Sequence, residues 1–537
     1  MPARPAVDVK RWRVPIALGL AVLAFGLAAI AVGQGNSWDL RNYHLYDGWA
    51  FWTGRPQDLA AAQLQTWFNP LLATATWLLF VHTPPWLSSL VLGCLQGANL
   101  LPLYVLARQH LPASLQREGR GWALAVAAAG ATTATQWGEL GASFGDTLLS
   151  LPLLAAYALA FAPQGTSGRR LLGAALAGAI CGLKLTTAPF ALGLVLALPL
   201  TTAGSAARLR LLALAAGAAG LGFLLTDGFW LWQLWREFGD PLFPLGGRLF
   251  GGELAAPVPL RDTRWLPRTP LEWLAYPLEW ATSPRRVSEQ WFLDLRLGLL
   301  WLALPLLLAR LRGRATQDAA GSTNASDAGR GTDAASAATR ALGLAAAVAY
   351  LAWLAVFGYH RYLAPLEMLA PLLLARLLGR GAGRTSRLLL GAALALLVLT
   401  TRPAQWGHLA ERQASFLRID LPPLPGLERA TVVLAENEPL SFLALGFPPG
   451  ARFVRIGGNL MGPPIPAYGL DRAAAARIAA ADGPLYALLV DPASPAAAAA
   501  LARQALHRSG DCAALRANLL SPPHGAWLCP LRRAGGD

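Results

Sequence analysis

Residues 14–33 read Val14-Pro15-Ile16-Ala17-Leu18-Gly19-Leu20-Ala21-Val22-Leu23-Ala24-Phe25-Gly26-Leu27-Ala28-Ala29-Ile30-Ala31-Val32-Gly33, and soon afterwards comes Ser37-Trp38-Asp39-Leu40-Arg41-Asn42-Tyr43-His44-Leu45-Tyr46-Asp47. An apolar run of about 20 residues is the length a helix needs to cross the hydrocarbon core of a bilayer. A chain that leaves such a span and enters a cluster of acids and aromatics has put carboxylates at a membrane surface. Lys10, Arg11 and Arg13 precede the run, as they would in a cleaved signal peptide. An uncleaved first span is the preferred reading, because the polar cluster needs an anchor.

The rest of the chain repeats the first run. Apolar windows lie at 86–107, 121–137, 147–163, 186–202, 211–227, 292–309, 341–358, 362–379 and 388–402, with a shorter one at 171–183. The 537 residues are 55% hydrophobic and 14% charged, with mean hydropathy +0.41, which excludes one or two soluble domains. Backbone polar groups in lipid must be satisfied internally, so the windows predict helices. The expected fold is mainly α: a polytopic membrane helical bundle of about 11 transmembrane helices. The 20 Trp suit the two interfacial belts.

A net charge of +15 in a soluble protein would suggest nucleic acid, but here its distribution assigns topology. Segments 1–13, 108–120, 164–170, 203–210, 310–340 and 376–387 hold 20 basic residues against five acids, and the remainder holds 25 of each. All the net charge therefore falls on one side, which the positive-inside rule makes cytoplasmic, with the N-terminus there. Residues 66–82 are apolar enough to cross, but if they did, the Arg-rich loops would face out. They are read as a membrane-dipping part of one long outer loop.

This places loops 34–85, 138–146 and 228–291 outside, as part of a membrane module spanning 1–402. Residues 403–537 are expected to form a small domain outside the membrane. Segment 312–340, rich in small and polar residues and without aromatics, reads as a disordered cytoplasmic linker. In the last region 431–434, 453–456 and 485–490 read as buried strands, with Ala-rich helices at 471–481 and 496–507, which together suggest an α/β domain. Cys512 and Cys529 fall in it, where an oxidising compartment permits a disulfide; the other reading is a pair of buried thiols.

No phosphate-binding P-loop, dinucleotide fingerprint or HExxH is present, so ATP-driven transport by this chain alone is not expected. Gly141-Ala142-Ser143-Phe144-Gly145 matches the serine-hydrolase elbow, yet it links two spans rather than a strand and a helix. Ionisable groups at the edges of spans remain, and they are costly enough to be functional candidates. Asp39, Asp47, Glu139, Asp146, Lys184, Asp227, Arg286, Asp294, Arg296, His360 and Arg361 all fall near the outer surface. Asp39, Tyr43 and Asp47 recur every four residues; the alternative to a site is an interfacial helix with solvated acids.

The chain has two lysines, Lys10 and Lys184, and uses Arg everywhere else. A lysine kept between two apolar segments suggests a site needing a compact ammonium charge, the other reading being a snorkelling surface residue. Arg286 and Arg361, at outer ends of spans, suit a phosphate. Asp294 and Arg296 suit an ion pair at least as well as a substrate role.

These residues resemble a known family. A first span, an outer loop opening on an acid, a second acid on a later outer loop, many spans and an outer C-terminal domain resemble the GT-C glycosyltransferases. These include the oligosaccharyltransferases, the protein O-mannosyltransferases and the aminoarabinose transferase of lipid A. Asp39-x-x-x-Tyr43 followed by Ala50 and Gly54-Arg55 is similar to their first-loop motif, and Asn69-Pro70-Leu71 to the proline stretch after it. Arg361-Tyr362-Leu363-Ala364-Pro365-Leu366-Glu367 resembles a late segment of the family. Gly239-Asp240-Pro241-Leu242-Phe243-Pro244 with Asp262-Thr263-Arg264-Trp265 resembles an uncharacterised bacterial branch. Two departures are Leu40, where an acid usually follows the first aspartate, and the lack of an acid at 148.

The resemblance implies transfer of a sugar from a polyprenyl-phosphate donor to a glycan, lipid or protein acceptor, with no nucleic acid involved. Asp39 would be the base, with Tyr43 and His44 beside it. Asp47, Glu139 and Asp146 would orient donor or acceptor, and Lys184, Arg286 and Arg361 would bind phosphate. No metal ligand set is assigned, and a divalent cation at the acids is an alternative. A secondary transporter or lipid-linked glycan flippase, or a non-catalytic membrane scaffold, are the competing readings.

Overall fold

The computed structural model describes residues 9–305, 328–379, 383–409, 413–520 and 525–534. The chain divides into two compact units. One comprises Met1–Val32, Ser89–Thr226 and Asp262–Trp406; the other comprises Gly33–Ser88, Asp227–Arg261 and Gly407–Asp537.

Among the described residues the first unit is helical, with one isolated β-bridge between Leu293 and Arg402. Every apolar window of the sequence carries helix, including Val9–Val32, Gly121–Ala131, Gly145–Ala160, Ser167–Leu183, Ser205–Phe238 and Ala364–Leu378. Among the described residues, four helices are long and apolar enough to cross a membrane by themselves: Arg13–Val32, Pro85–His110, Ser205–Phe238 and Ala335–Val356. The others are shorter. The expected linker 312–340 is corrected in part: 312–327 lie outside the described residues, but 328–340 open the helix Ala328–Val356. That stretch is rich in alanine, the strongest helix former, and continues directly into the apolar window.

Small residues set how closely these helices pack. A Cβ at Gly178 would fall on the carbonyl oxygen of Ala219, and one at Gly222 on that of Ala175. Helices Ser167–Leu183 and Ser205–Phe238 therefore touch backbone to backbone, as small residues allow in membranes, where apolar burial gives little drive for association. Ser167–Leu183 ends at Lys184, whose extended backbone (φ −155°, ψ 107°) breaks the helix and starts a short 3-10 turn at Leu185–Thr187.

The second unit holds the strands. β1 (Gln34–Gly35) pairs with β2 (His408–Leu409) as a small ribbon. The main sheet is built from β3 (Ile419–Asp420), β4 (Thr431–Leu434), β5 (Arg452–Arg455), β6 (Leu485–Leu489), β7 (Leu506–Arg508), β8 (Ala513–Ala517) and β9 (Ala526–Arg533). Its order is β3-β8-β9-β6-β4-β5, with β7 also on β9. β5, β4 and β6 are parallel, and β4 and β6 are buried along their whole length, as sequences that are apolar apart from Thr431 suit. Helices Gly469–Ala479 and Pro495–Arg503 cover them through Leu470, Ala474, Ile478 and Leu501. Cys512 and Cys529 are joined by a disulfide.

Two stretches read from the sequence as loops of the membrane module belong to this unit. Leu59 pairs with β5, donating its N–H to the Phe453 carbonyl at 2.8 Å and accepting from Arg455 N at 3.0 Å. Asp58 accepts from Phe453 N at 2.9 Å and from Tyr46 Oη at 2.7 Å, with Arg55 Nε at 3.0 Å. From 227–261, Phe238 and Phe243 stack at 4.0 Å and meet Trp67 edge-on. Residues 66–82 supply the helix Leu71–His82, whose 12 residues reach about 18 Å, short of a bilayer core of about 30 Å.

Candidate active site

Four of the candidate residues meet in the first unit. Glu139 follows the short helix Ala134–Gly138, whose start is capped by Thr133 Oγ1 accepting from Gln136 N at 3.0 Å. Asp146 lies in the first turn of Gly145–Ala160, Lys184 at the broken end of Ser167–Leu183, and Arg361 in the 3-10 turn His360–Leu363 that leads into Ala364–Leu378. Each side chain is thus fixed at a helix end. Lys184 Nζ donates to Asp146 Oδ1 at 2.6 Å, Arg361 Nε lies 3.1 Å from Asp146 Oδ2, and Glu139 Oε1 is 3.9 Å from Arg361 Nε.

Aromatic rings enclose the cations. The Arg361 guanidinium carbon is 4.4 Å from the ring centre of Phe144 and 5.3 Å from that of Trp406, with Tyr359 and Tyr362 slightly further. Lys184 Nζ also faces Tyr362, at 5.6 Å. Ring faces attract cations, so these contacts hold the charges at modest desolvation cost. Glu139 Oε2 is held by Thr147, accepting from its N–H at 3.0 Å and its hydroxyl at 2.7 Å. Gln96 fastens the same turn, donating to the Glu139 carbonyl and accepting from Gly141 N.

Glu139 Oε1 has no hydrogen-bond partner. Burial first, and the neighbouring Asp146 second, push the Glu139 carboxyl well above the usual carboxylate range, against the pull of Arg361 and Lys184. When Glu139 is protonated the group holds two cations against one carboxylate, and when it is ionised, two against two. Lys184 spends one N–H on Asp146 and is the most accessible of the four, 18% exposed. The arrangement can take an anion. It does not fit a divalent cation, because a lysine and an arginine already fill the places around Asp146 that a metal would need. Among the described residues no group of three or more His, Cys, Asp or Glu is gathered as for a metal.

The other cations of the first unit lie in different surroundings. Arg296 Nη1 pairs with Asp294 Oδ2 at 2.6 Å within a fully buried network, and His360 Nε2 faces Glu367 Oε1 at 2.6 Å with Phe292 stacked on its ring. Arg286, read from the sequence as a phosphate ligand, instead pairs with Glu272 at 3.0 Å and Glu279 at 3.7 Å and donates to the carbonyls of Arg264 and Leu266. The structure does not bring it to Lys184.

In the second unit the polar cluster is helical, with a π turn at Leu40–His44 running into the α-helix Leu45–Thr53. Ser37 Oγ accepts from Leu40 N at 3.1 Å at its start. π turns occur frequently at functional sites. Asp39 and Tyr43 are half-buried; the Tyr43 ring lies edge-on to His44 at 4.3 Å and to Phe68 at 5.9 Å. Asp47 is only 5% exposed and its Oδ1 has no partner, so it is not the solvated acid of an interfacial helix. Burial pushes its carboxyl well above the usual range. Asp227 accepts from Asn69 Nδ2 at 2.7 Å.

The sequence reading missed Phe144, Tyr359, Trp406, Gln96 and Thr147 as parts of the Lys184 group. The signal for Phe144 was its place two residues before Asp146; Trp406 and Gln96 carry none in the sequence. It also missed Arg455, fully buried in the second unit and donating to the carbonyls of Ala61 and Glu436.

No family model matches the chain, and no curated protein matches it. Among solved structures, the chain is similar to the crystal structure of ArnT from Cupriavidus metallidurans bound to undecaprenyl phosphate, with a TM-score of 0.44 and 14% identity. The likeness covers 72% of this chain and 63% of that one, so the chain spans less than two thirds of the structure it matches.

Proposed function

We propose that the chain is a membrane glycosyltransferase that moves a sugar from a polyprenyl-phosphate carrier to a hydroxyl-bearing glycan, lipid or protein acceptor. The observation that carries this reading is the Lys184, Arg361, Asp146 and Glu139 group: two cations, one of them a partly exposed ammonium, and a buried acid oxygen without a hydrogen bond, among aromatic rings. Charges are expensive inside membrane proteins unless they serve a site, and this group matches the negative head of a lipid phosphate. The short resemblances at Asp39-x-x-x-Tyr43 and at Arg361-Tyr362 support it.

In this reaction the bond between the anomeric carbon and the carrier phosphate oxygen breaks as the acceptor oxygen bonds to that carbon. The departing phosphate keeps the electron pair, and Lys184 and Arg361 stabilise the charge that develops on it. The acceptor's proton goes to a carboxylate, assigned to Asp39 with Tyr43 and His44 as neighbours, while Asp47 and Asp146 hold donor or acceptor in place. Arg286 takes no part. The charge asymmetry of the loops supports an inner-membrane protein with a cytoplasmic N-terminus and a periplasmic C-terminal region.

Sugar transfer from lipid carrier to acceptor, measured in membranes carrying Asp39→Asn, is expected to slow by roughly 10²–10⁴, the usual contribution of a positioned general base, with expression and insertion intact. Wild-type transfer by both Asp39→Asn and Asp146→Asn would sink the reading.

A further inference from the structure

Helix Ser205–Phe238 has 34 residues and is about 51 Å long, while the hydrocarbon core of a bilayer is about 30 Å. Its last turns, from Asp227 on, belong to the second unit and have two different faces. One is docked: Leu234 is buried, and Trp230 Nε1 donates to the Trp67 carbonyl at 2.9 Å. The other carries Phe229, Trp232 and Trp235, three residues apart and all exposed, Trp232 by 56%. After the turn at Gly239, Leu245 and Leu249 are exposed by 50% and 80%. Phe51, on the helix Leu45–Thr53, joins the same surface, its ring 5.8 Å from that of Phe229.

Single exposed apolar residues are ordinary, but a run of this kind is not. We infer that this face of the second unit, from Phe229 to Leu249, lies in the interfacial layer of the bilayer, with phospholipid as its partner. Lipid, rather than a second copy or another protein, is favoured because the face continues the same helix that spans the membrane. Its composition also fits: tryptophan is the residue of membrane interfaces, and Arg236 and Arg248, both exposed, stand along it where anionic head groups would be met. This inference rests on the membrane span and not on the glycosyltransferase reading.

The test uses the full chain in nanodiscs of phosphatidylethanolamine and phosphatidylglycerol. Single cysteines replace Leu245 or Leu249 in a Cys94→Ser, Cys181→Ser background, each carrying an environment-sensitive fluorophore. A control label sits at Ala498, exposed on the helix Pro495–Arg503. Lipids brominated near the head of the acyl chain are expected to quench Leu245→Cys and Leu249→Cys and leave Ala498→Cys bright. Absence of quenching at both sites would overturn the inference. Absence of quenching with a two-copy mass per nanodisc would reassign the face to a second copy of the chain. A Leu249→Cys protein that fails to fold leaves Leu245→Cys to decide.

Discussion

Arg296 faces Asp294 at 2.6 Å and Arg361 faces Asp146 at 3.1 Å, both in the helical unit and both buried. Around Arg296 every donor is used. Nε and Nη2 donate to the Ala129 carbonyl, Nη2 also to the Thr132 carbonyl, and Nη1 to Thr401 Oγ1 at 2.8 Å. Asp294 in turn accepts from Ala134 N and Arg296 N, each at 2.9 Å. Around Asp146 there is a second cation, aromatic rings lie against the guanidinium, and Glu139 keeps one oxygen without a hydrogen bond. The Arg296 pair stitches helices together, with every donor in use. The Asp146 group differs in its two cations, its more accessible lysine and the Glu139 oxygen that makes no hydrogen bond.

If that contrast is right, the largest loss of stability belongs to Arg296. Arg296→Met strands Asp294 in the bundle and is expected to cost about 3–5 kcal/mol, read as thermal unfolding in detergent. Stability near wild type would show that the network is not structural. Lys184→Met leaves Arg361 beside Asp146, so it is expected to fold while losing transfer. Lys184→Arg should also be impaired, because a planar fork replaces a point charge.

A smaller effect concerns pH. Glu139 has its folded pKa raised, so its neutral form contributes stability fully present below its unfolded value of about 4.3 and lost as pH rises through the folded pKa. Over the same window the group loses its net positive charge, and lipid-phosphate binding is expected to weaken. Glu139→Gln should flatten both profiles while binding persists. A wild-type protein with no pH dependence of binding beyond that of Glu139→Gln would show that Glu139 does not change protonation state over the range and does not set the binding profile. Least of all should be lost in Arg286→Met, whose partly exposed pairs with Glu272 and Glu279 contribute about 1 kcal/mol, with transfer unchanged. Loss of transfer there would return Arg286 to the site.

Much of the helical unit was legible because membrane burial is written locally: a stretch of apolar residues is a helix whatever its neighbours. The parallel strands at Thr431–Leu434 and Leu485–Leu489 were legible for the same reason. β8 and β9 were not, since Ala513–Ala517 alternates around small residues and Ala526–Arg533 carries Pro530 and two arginines. Nor was the pairing of Leu59 with β5, a non-local contact made by a stretch of alanines with no strand pattern. That contact brings 33–88 into one unit with 407–537, where the sequence suggested a division at 402. In the candidate site the charged residues could be named one by one, because charge near a span is conspicuous. Which of them meet depends on helix ends far apart in the chain, so the separation of Arg286 from Lys184 and Arg361 had to be seen.

The claim that the Lys184 group binds a lipid phosphate is tested most directly by adding a polyprenyl phosphate to purified wild-type protein and to Lys184→Met, and following thermal unfolding. A ligand held by the native state alone adds about 2.7 kcal/mol of stability at a hundredfold excess over its Kd. The wild type is expected to be stabilised on that scale, while Lys184→Met unfolds at the same temperature with and without the lipid. Equal stabilisation of the two proteins would contradict the account.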